Sequence, residues 1–261
     1  MKIIFLGKST CIPEKNSDSS CYLIDKTLLV DTGWKSDLTL RNLDIDPLSI
    51  RHIFITHFHY DHYMGLAGLL ADRIFKKRDM SELTIYGEAT TLEPVFNKIL
   101  NFVDDADIHS SHLDKIPRPK LVPLSGGECL SVEGYRVTCT PSHHAVPGLC
   151  YRFEKDGCIL GASGDTTYMD SITEFYKGCT AIVHEYSIGT ADPIPDWNNI
   201  CLHSTAQCAS KTARLCGAKQ LFMIHGADAN IPACKEVCAR DFPGETVFPQ
   251  LLQEYEVACK D

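Results

Sequence analysis

The sequence predicts an α/β fold in which two packed β-sheets carry helices on their outer faces. Three observations lead there. Short apolar, strand-like runs recur in both halves of the chain. In each half they give way to segments with apolar residues at helical spacing. The chain has 261 residues, 44% of them hydrophobic, with no Gly/Ser-rich or Pro-rich linker, low-complexity tract or fixed-period repeat. One domain spanning residues 1–261 is therefore the expectation.

The elements follow in order. Ile3 to Leu6 reads as a first strand closed by Gly7. This run is too short for a signal-peptide core or a bilayer span, and no later segment reaches membrane length. A cytoplasmic protein without a membrane partner is expected. Ser20 to Ile24 and Leu28 to Val30 are further strands, broken by Asp31-Thr32-Gly33. Ile53-Phe54-Ile55 is a buried strand, and Gly65 to Ile74 looks helical through Leu66, Leu69, Leu70 and Ile74. Leu83 to Tyr86 is a strand. Residues 88 to 118 hold an amphipathic helix around Val95, Phe96, Ile99 and Leu100, then a polar stretch. Strands return at Tyr135 to Thr140, Cys150 to Phe153, Cys158 to Gly161 and Ala181 to His184. A helix from Thr205 to Cys216, capped by Ser204, precedes a last strand, Leu221 to Ile224.

Charge and cysteine content narrow the function classes. Lys plus Arg number 25 against 34 Asp plus Glu, a formal net charge of -9. Such a chain repels nucleic acid unless its cations cluster. Arg73, Lys76, Lys77 and Arg78 form the nearest cluster, which a solvated helix end also explains. The 13 cysteines are odd in number and contain no CxxC pair. Cys139, Cys150, Cys158 and Cys216 lie in apolar contexts and read as small, reduced core residues. Cys234 and Cys238 are four apart on a helical stretch but lack two further zinc ligands nearby.

Chemistry concentrates in Thr56-His57-Phe58-His59-Tyr60-Asp61-His62, three imidazoles and a carboxylate on one turn after a buried strand. Imidazole nitrogen and carboxylate oxygen are the usual donors for zinc-like ions. His57 and His59, two apart at a strand end, can point to one side, while Asp61 and His62 can reach a second ion.

This HxHxDH run resembles the metallo-β-lactamase superfamily. The resemblance implies a four-layer αββα sandwich with the metal centre at one edge of the sheets. It gives Asp31 of Asp31-Thr32-Gly33 the task of orienting ligands, although a plain turn carboxylate explains Asp31 by itself. It also implies a ligand His, which His143 or His144 could supply. The spacing to Pro147, Tyr151 and Arg152 favours His144. Ser163-Gly164-Asp165-Thr166 resembles the segment of the metal-bridging Asp, and His225 resembles the final ligand. One ion would take His57, His59 and His144; the other Asp61, His62 and His225; Asp165 would bridge them. Two zinc ions are expected, with manganese or iron using the same donors.

Two more motifs point to one branch. His184-Glu185-Tyr186-Ser187 resembles the His-Glu-Ala-Thr segment of ribonuclease Z, and His203-Ser204-Thr205 resembles its His-Ser-Thr motif. The resemblance implies phosphodiester cleavage, with Glu185 orienting His203, His203 serving the leaving group and Asp61 assisting proton transfer. Tyr186 stands where the family has Ala, so a phenol is expected to reshape the pocket. Ribonuclease Z carries a tRNA-gripping arm between the third-ligand His and the bridging Asp. Only 20 residues separate His144 from Asp165, which leaves no room for it. That shortness and the acidic charge favour a small phosphodiester, above all a cyclic nucleotide, as in armless anti-Pycsar-type phosphodiesterases. A tRNA 3′ endonuclease is the alternative, then a lactonase or thioester hydrolase, which would not need His203, and a non-catalytic binding module. Relatives imply a homodimer. Segments 88–118 and 187–200, with Trp197, are candidates for a base-stacking lid or for ordinary surface loops.

Overall fold

The computed structural model describes residues 1–104, 115–190 and 202–260. Residues 105–114 and 191–200 of the proposed lid segments, including Trp197, lie outside the described residues.

The first sheet is built from β1 (Lys2–Gly7), β2 (Cys21–Ile24), β3 (Leu28–Val30), β4 (His52–Phe54), β5 (Thr84–Glu88) and β6 (Lys120–Leu124). The second is built from β7 (Cys129–Val132), β8 (Tyr135–Pro141), β9 (Leu149–Lys155), β10 (Cys158–Ala162), β11 (Ala181–Glu185), β12 (Gln220–Ile224) and β13 (Glu245–Val247). The chain then crosses back, and β14 (Glu254–Glu256) completes the first sheet. The orders are β14-β1-β2-β3-β4-β5-β6 and β13-β12-β11-β10-β9-β8-β7. From β14 to β3, and from β7 to β10, neighbours are antiparallel. From β3 to β6, and from β10 to β13, they are parallel.

One apolar core lies between the sheets, with Phe5, Phe54, Tyr151, Phe153 and Phe222 fully buried. A second packs the first sheet beneath α1 (Ser36–Asn42), α3 (Leu66–Asp72) and α4 (Leu92–Val103), and the short helix α2 (Tyr60–Tyr63) lies between α1 and α3 in the chain. A third packs the other sheet beneath α5 (Asp170–Phe175), α6 (Ala206–Cys216) and α7 (Ile231–Asp241). This is the expected αββα sandwich. Among the described residues no helix is long and apolar enough to cross a membrane.

Several expectations change. The α6 cap is Thr205, whose hydroxyl accepts from Cys208 N, while Ser204 Oγ donates to Thr166 O at 2.6 Å. Arg73 leaves the surface cluster: it is buried and donates to Leu69 O and Ile50 O. Lys76 and Lys77 pair with Asp72 and Glu82, as a solvated helix end would. Cys139, Cys150 and Cys216 are buried and reduced, but Cys158 is bonded to Cys259, 101 residues away. Spacing could not reveal that pair, because its two partners are 101 residues apart and meet where the tail bridges β10. Cys234 and Cys238 are buried on α7 and belong to no metal-like cluster among the described residues.

Candidate metal centre

The parallel strands of both sheets deliver the chemistry at their carboxyl ends, where open α/β sheets leave a crevice. Asp31 follows β3, His57 to His62 follow β4, Asp165 follows β10, Glu185 ends β11 and His225 follows β12. His144 comes from the turn between β8 and β9. The two sheet edges are tied together here: Leu149 N donates to Thr56 O at 2.7 Å, and Tyr151 Oη donates to Ile55 O at 2.9 Å. Gly164 sits at φ +56°, and a Cβ there would lie 2.6 Å from Thr56 Cβ. Only glycine lets the Asp165 turn approach the histidine loop so closely.

Seven donors converge in two groups. His57 Nε2 and His144 Nε2 each lie 3.1 Å from His59 Nδ1. In the second group Asp61 Oδ2 lies 3.2 Å from His225 Nε2 and 3.4 Å from His62 Nε2, and the two imidazole nitrogens are 3.3 Å apart. Asp165 Oδ2 faces both groups. It is 3.7 and 3.9 Å from His57 and His144, and 3.5 and 3.6 Å from His62 and His225. His143 is exposed; its backbone, not its ring, is held by Thr166 and Thr167.

These donors fit cations. Bonds of about 2.0–2.1 Å to a tetrahedral ion place neighbouring donors about 3.3 Å apart, as here. Hydrogen bonds also turn the lone pairs inward. Asp31 accepts from Thr56 N (2.7 Å), Thr56 Oγ1 (2.9 Å) and His62 Nδ1 (2.8 Å). With its proton given to Asp31, the Thr56 hydroxyl accepts from His57 Nδ1 at 3.2 Å. Ser187 Oγ donates to His225 O and accepts from His225 Nδ1, both at 2.8 Å. The Nε2 atoms of His57, His62 and His225 are thereby left as bare acceptors. Two such nitrogens 3.3 Å apart repel unless a cation or a proton lies between them. Asp165 Oδ1 is buried without a hydrogen-bond partner, a second sign of a missing electrophile.

Electrostatics agree for the carboxylates and His57, whereas burial of His62 is outweighed by Asp165 and Asp31, which push that imidazole well above its usual range. Burial alone would raise the Asp61 and Asp165 carboxyls, but the surrounding imidazoles hold both well below the usual carboxylate range. Burial, reinforced by the neighbouring His62, pulls His57 down and favours its neutral form. Beside the donors, Glu185 Oε1 accepts from Thr166 N at 3.0 Å and from His203 Nδ1 at 2.9 Å, and Oε2 accepts from Ser187 N at 3.0 Å. Burial opposes protonation of His203, yet Glu185, with Asp165 behind it, pushes this imidazole up to about 9. His203 Nδ1 is 3.8 Å from Asp165 Oδ2.

Residues 1–194 match the family model described as anti-Pycsar protein Apyc1. The chain belongs to that family. It is 26% identical over 280 residues to the ribonuclease Z of Methanothermobacter thermautotrophicus, covering 86% of each. Its fold superposes on the metallo-β-lactamase fold protein YhfI from Bacillus subtilis with a TM-score of 0.78 at 19% identity, covering 97% and 98% of the two chains. It also superposes on the short form of human tRNase Z, ELAC1, with a TM-score of 0.75 at 20% identity, covering 98% and 99%. The protein is a metal-dependent hydrolase of the metallo-β-lactamase superfamily, similar to ribonuclease Z.

Two site features differ from expectation. Tyr186 does not line the pocket: it is buried against Gly226, edge-on to Phe248 at 5.5 Å. Its successor Ser187, which orients His225, went unrecognised in the sequence. The signal was present, because Ser187 stands where the family motif has Thr and both supply a hydroxyl. The turn between β9 and β10 is Asp156-Gly157, so the stretch between His144 and Asp165 carries no arm.

Proposed function

We propose that the protein is a dinuclear phosphodiesterase. His57, His59 and His144 would hold one divalent ion, Asp61, His62 and His225 the other, and Asp165 would bridge them, with zinc the best match to the donor set. When bound, such ions polarise phosphoryl oxygens and lower the pKa of water. The observation that carries the phosphodiester reading is the Glu185–His203 pair set against Asp165. A carboxyl ester or lactone also expels an alkoxide, so a general acid alone does not choose between the reactions. The pair favours phosphodiester cleavage because its two segments resemble the His-Glu-Ala-Thr and His-Ser-Thr motifs of ribonuclease Z, to one of which the chain is 26% identical. His203, kept protonated by Glu185, donates to the leaving oxygen, and Glu185 is held by two backbone N–H groups so that the ring keeps one orientation. Asp61 accepts a proton on the attacking side.

Two substrate classes follow from this chemistry. The names of the curated relatives favour RNA cleaved in the manner of ribonuclease Z, and they support this reading more directly than the cyclic-nucleotide one. The tight β9–β10 turn and the family matched by residues 1–194 favour a cyclic nucleotide. Turnover of bis-p-nitrophenyl phosphate, a precursor tRNA and a cyclic-nucleotide panel by metal-loaded protein tests the proposal. Absence of metal-dependent turnover on all three defeats it, and the preferred substrate decides between the classes. A homodimer is supported by exposed apolar residues beside His59 and Asp61: Tyr60 and Trp34 are edge-on at 5.3 Å, and Tyr60 Oη donates to Cys11 O, next to exposed Ile12. Sedimentation of the purified protein tests it.

A further inference from the structure

An acidic chain that cuts a polyanion needs a local exception to its own charge. The helix α6 is such an exception. Its charged residues are Lys211 and Arg214, with no carboxylate along its length. Gln207, Lys211 and Arg214 recur on one face at helical spacing. Together with Arg240 and Asp241 of α7 they line a surface groove of about 470 Å³. Lys211, Arg214 and Arg240 are all exposed.

The groove connects to the metal centre through the chain itself. The helix begins directly after His203-Ser204-Thr205, and Ser204 Oγ donates to Thr166 O beside Asp165. Tyr168, three residues past Asp165, lies under Lys211 Nζ, which sits 3.9 Å from the ring centroid. That contact fixes the ammonium on the side of the helix that faces Tyr168. Exposed His143 is tied to the same loop as Tyr168, its backbone bonded to Thr166 and Thr167. Among the described residues, carboxylates also lie near this face. Asp241 is paired with Arg240, and Asp170 accepts from the Tyr168 hydroxyl at 2.6 Å. Glu236 is exposed one turn before Arg240 on α7.

We infer that this face is a docking track for the phosphodiester backbone of a single-stranded RNA segment leading away from the scissile bond. The inference rests on the RNA reading of the site, since a cyclic nucleotide has no backbone to lay along it. Lys211 and Arg214 are point contacts to phosphates, which confer affinity without sequence preference.

The test uses Lys211→Gln with Arg214→Gln, which keep side-chain length but remove charge. Binding of a short fluorescent single-stranded RNA is measured in metal-loaded protein made cleavage-deficient by His203→Ala. The double variant should bind several-fold more weakly. Its plot of log affinity against log salt should be shallower by about 1.4, the value for two lost single-strand phosphate contacts. Turnover of bis-p-nitrophenyl phosphate in the His203 enzyme should not change. Charge reversal, Lys211→Glu with Arg214→Glu, should deepen the binding loss. Unchanged affinity and slope in both variants overturn the track. RNA cleaved with the same KM by wild type and double variant also overturns it while leaving the RNA substrate standing. RNA bound through the track but never cleaved overturns the substrate reading while leaving the track.

Discussion

Replacing Asp31 by Asn tests whether the metal centre depends on hydrogen bonds behind its ligands. The substitution barely changes volume, so packing is preserved. It fails on donor and acceptor arithmetic. Oδ1 accepts from Thr56 N at 2.7 Å, and Oδ2 accepts from Thr56 Oγ1 at 2.9 Å and His62 Nδ1 at 2.8 Å. An amide offers one acceptor oxygen and one NH2 group. With the NH2 in the Oδ1 position, two donors face each other in a fully buried site, at a cost of about 1–3 kcal/mol. With the NH2 in the Oδ2 position, His62 must become the acceptor at Nδ1, which moves its proton to Nε2. That proton would then point at the place where Asp61 and His225 converge. Either way metal affinity should fall about 10- to 100-fold, the usual effect of losing the partner that orients a ligand. The assay is metal content after dialysis against graded chelator, with the melting temperature of the metal-free protein measured in parallel. The metal-free measurement separates the folding cost from the ligand cost. Wild-type metal affinity and stability in Asp31→Asn would refute the reasoning, because no orientation of the amide satisfies all three donors.

Four other outcomes are expected. Glu185→Gln leaves a hydrogen bond to His203 but removes the charge that raises the imidazole to about 9. A group raised in this way acts as an acid below that pH and is lost as pH rises through it, so the alkaline limb of kcat should move down by about one pH unit, while His203→Ala should abolish it. His144→Ala should lower bound metal and activity, whereas His143→Ala should leave metal content at the wild-type level. Chelation should abolish turnover and lower the melting temperature, since the inward-facing acceptors of His57, His62 and His225 then repel; an unchanged melting temperature would count against the donor geometry. Peptide mapping without reductant should recover Cys158 joined to Cys259, and Cys259→Ser should lower stability by up to about 4–5 kcal/mol, the chain-entropy limit for a loop of this length.

What the sequence revealed and what it hid follow one physical division. Local chemistry was legible. His57, His59, Asp61 and His62 lie on one turn, so their convergence could be read directly, and His144, Asp165 and His225 each follow a recognisable strand. Strand cores such as Ala181–Glu185 and Gln220–Ile224 announce themselves by continuous apolar runs, because parallel strands are buried on both faces. The sheet edges did not. Glu245–Val247 and Glu254–Glu256 are three residues long and partly exposed, too short for any periodicity. Lys120–Leu124 and Cys129–Val132 are likewise half-exposed edge strands. The Cys158–Cys259 pair and the Ser187–His225 contact depend on long-range topology, and no window of sequence contains both partners.

That division explains why metal chemistry is easier to read here than substrate. The donors come from both sheets: His57, His59, Asp61 and His62 from the first, and His144, Asp165 and His225 from the second. Each donor group draws residues from both sheets, so an ion in either position would clamp one sheet edge to the other. Such a centre tolerates little change in its own residues, which keeps its motif visible at 26% identity to a ribonuclease Z. Under the phosphodiesterase reading, substrate choice would be set one layer out, by groups that do not touch the ions. These are the carboxylate that holds His203, the two-residue turn in place of an arm, and the cations of the helix that begins two residues after His203-Ser204. If Lys211 and Arg214 contact phosphates as inferred, that helix face would suit a polynucleotide, for which a small cyclic ester has no use.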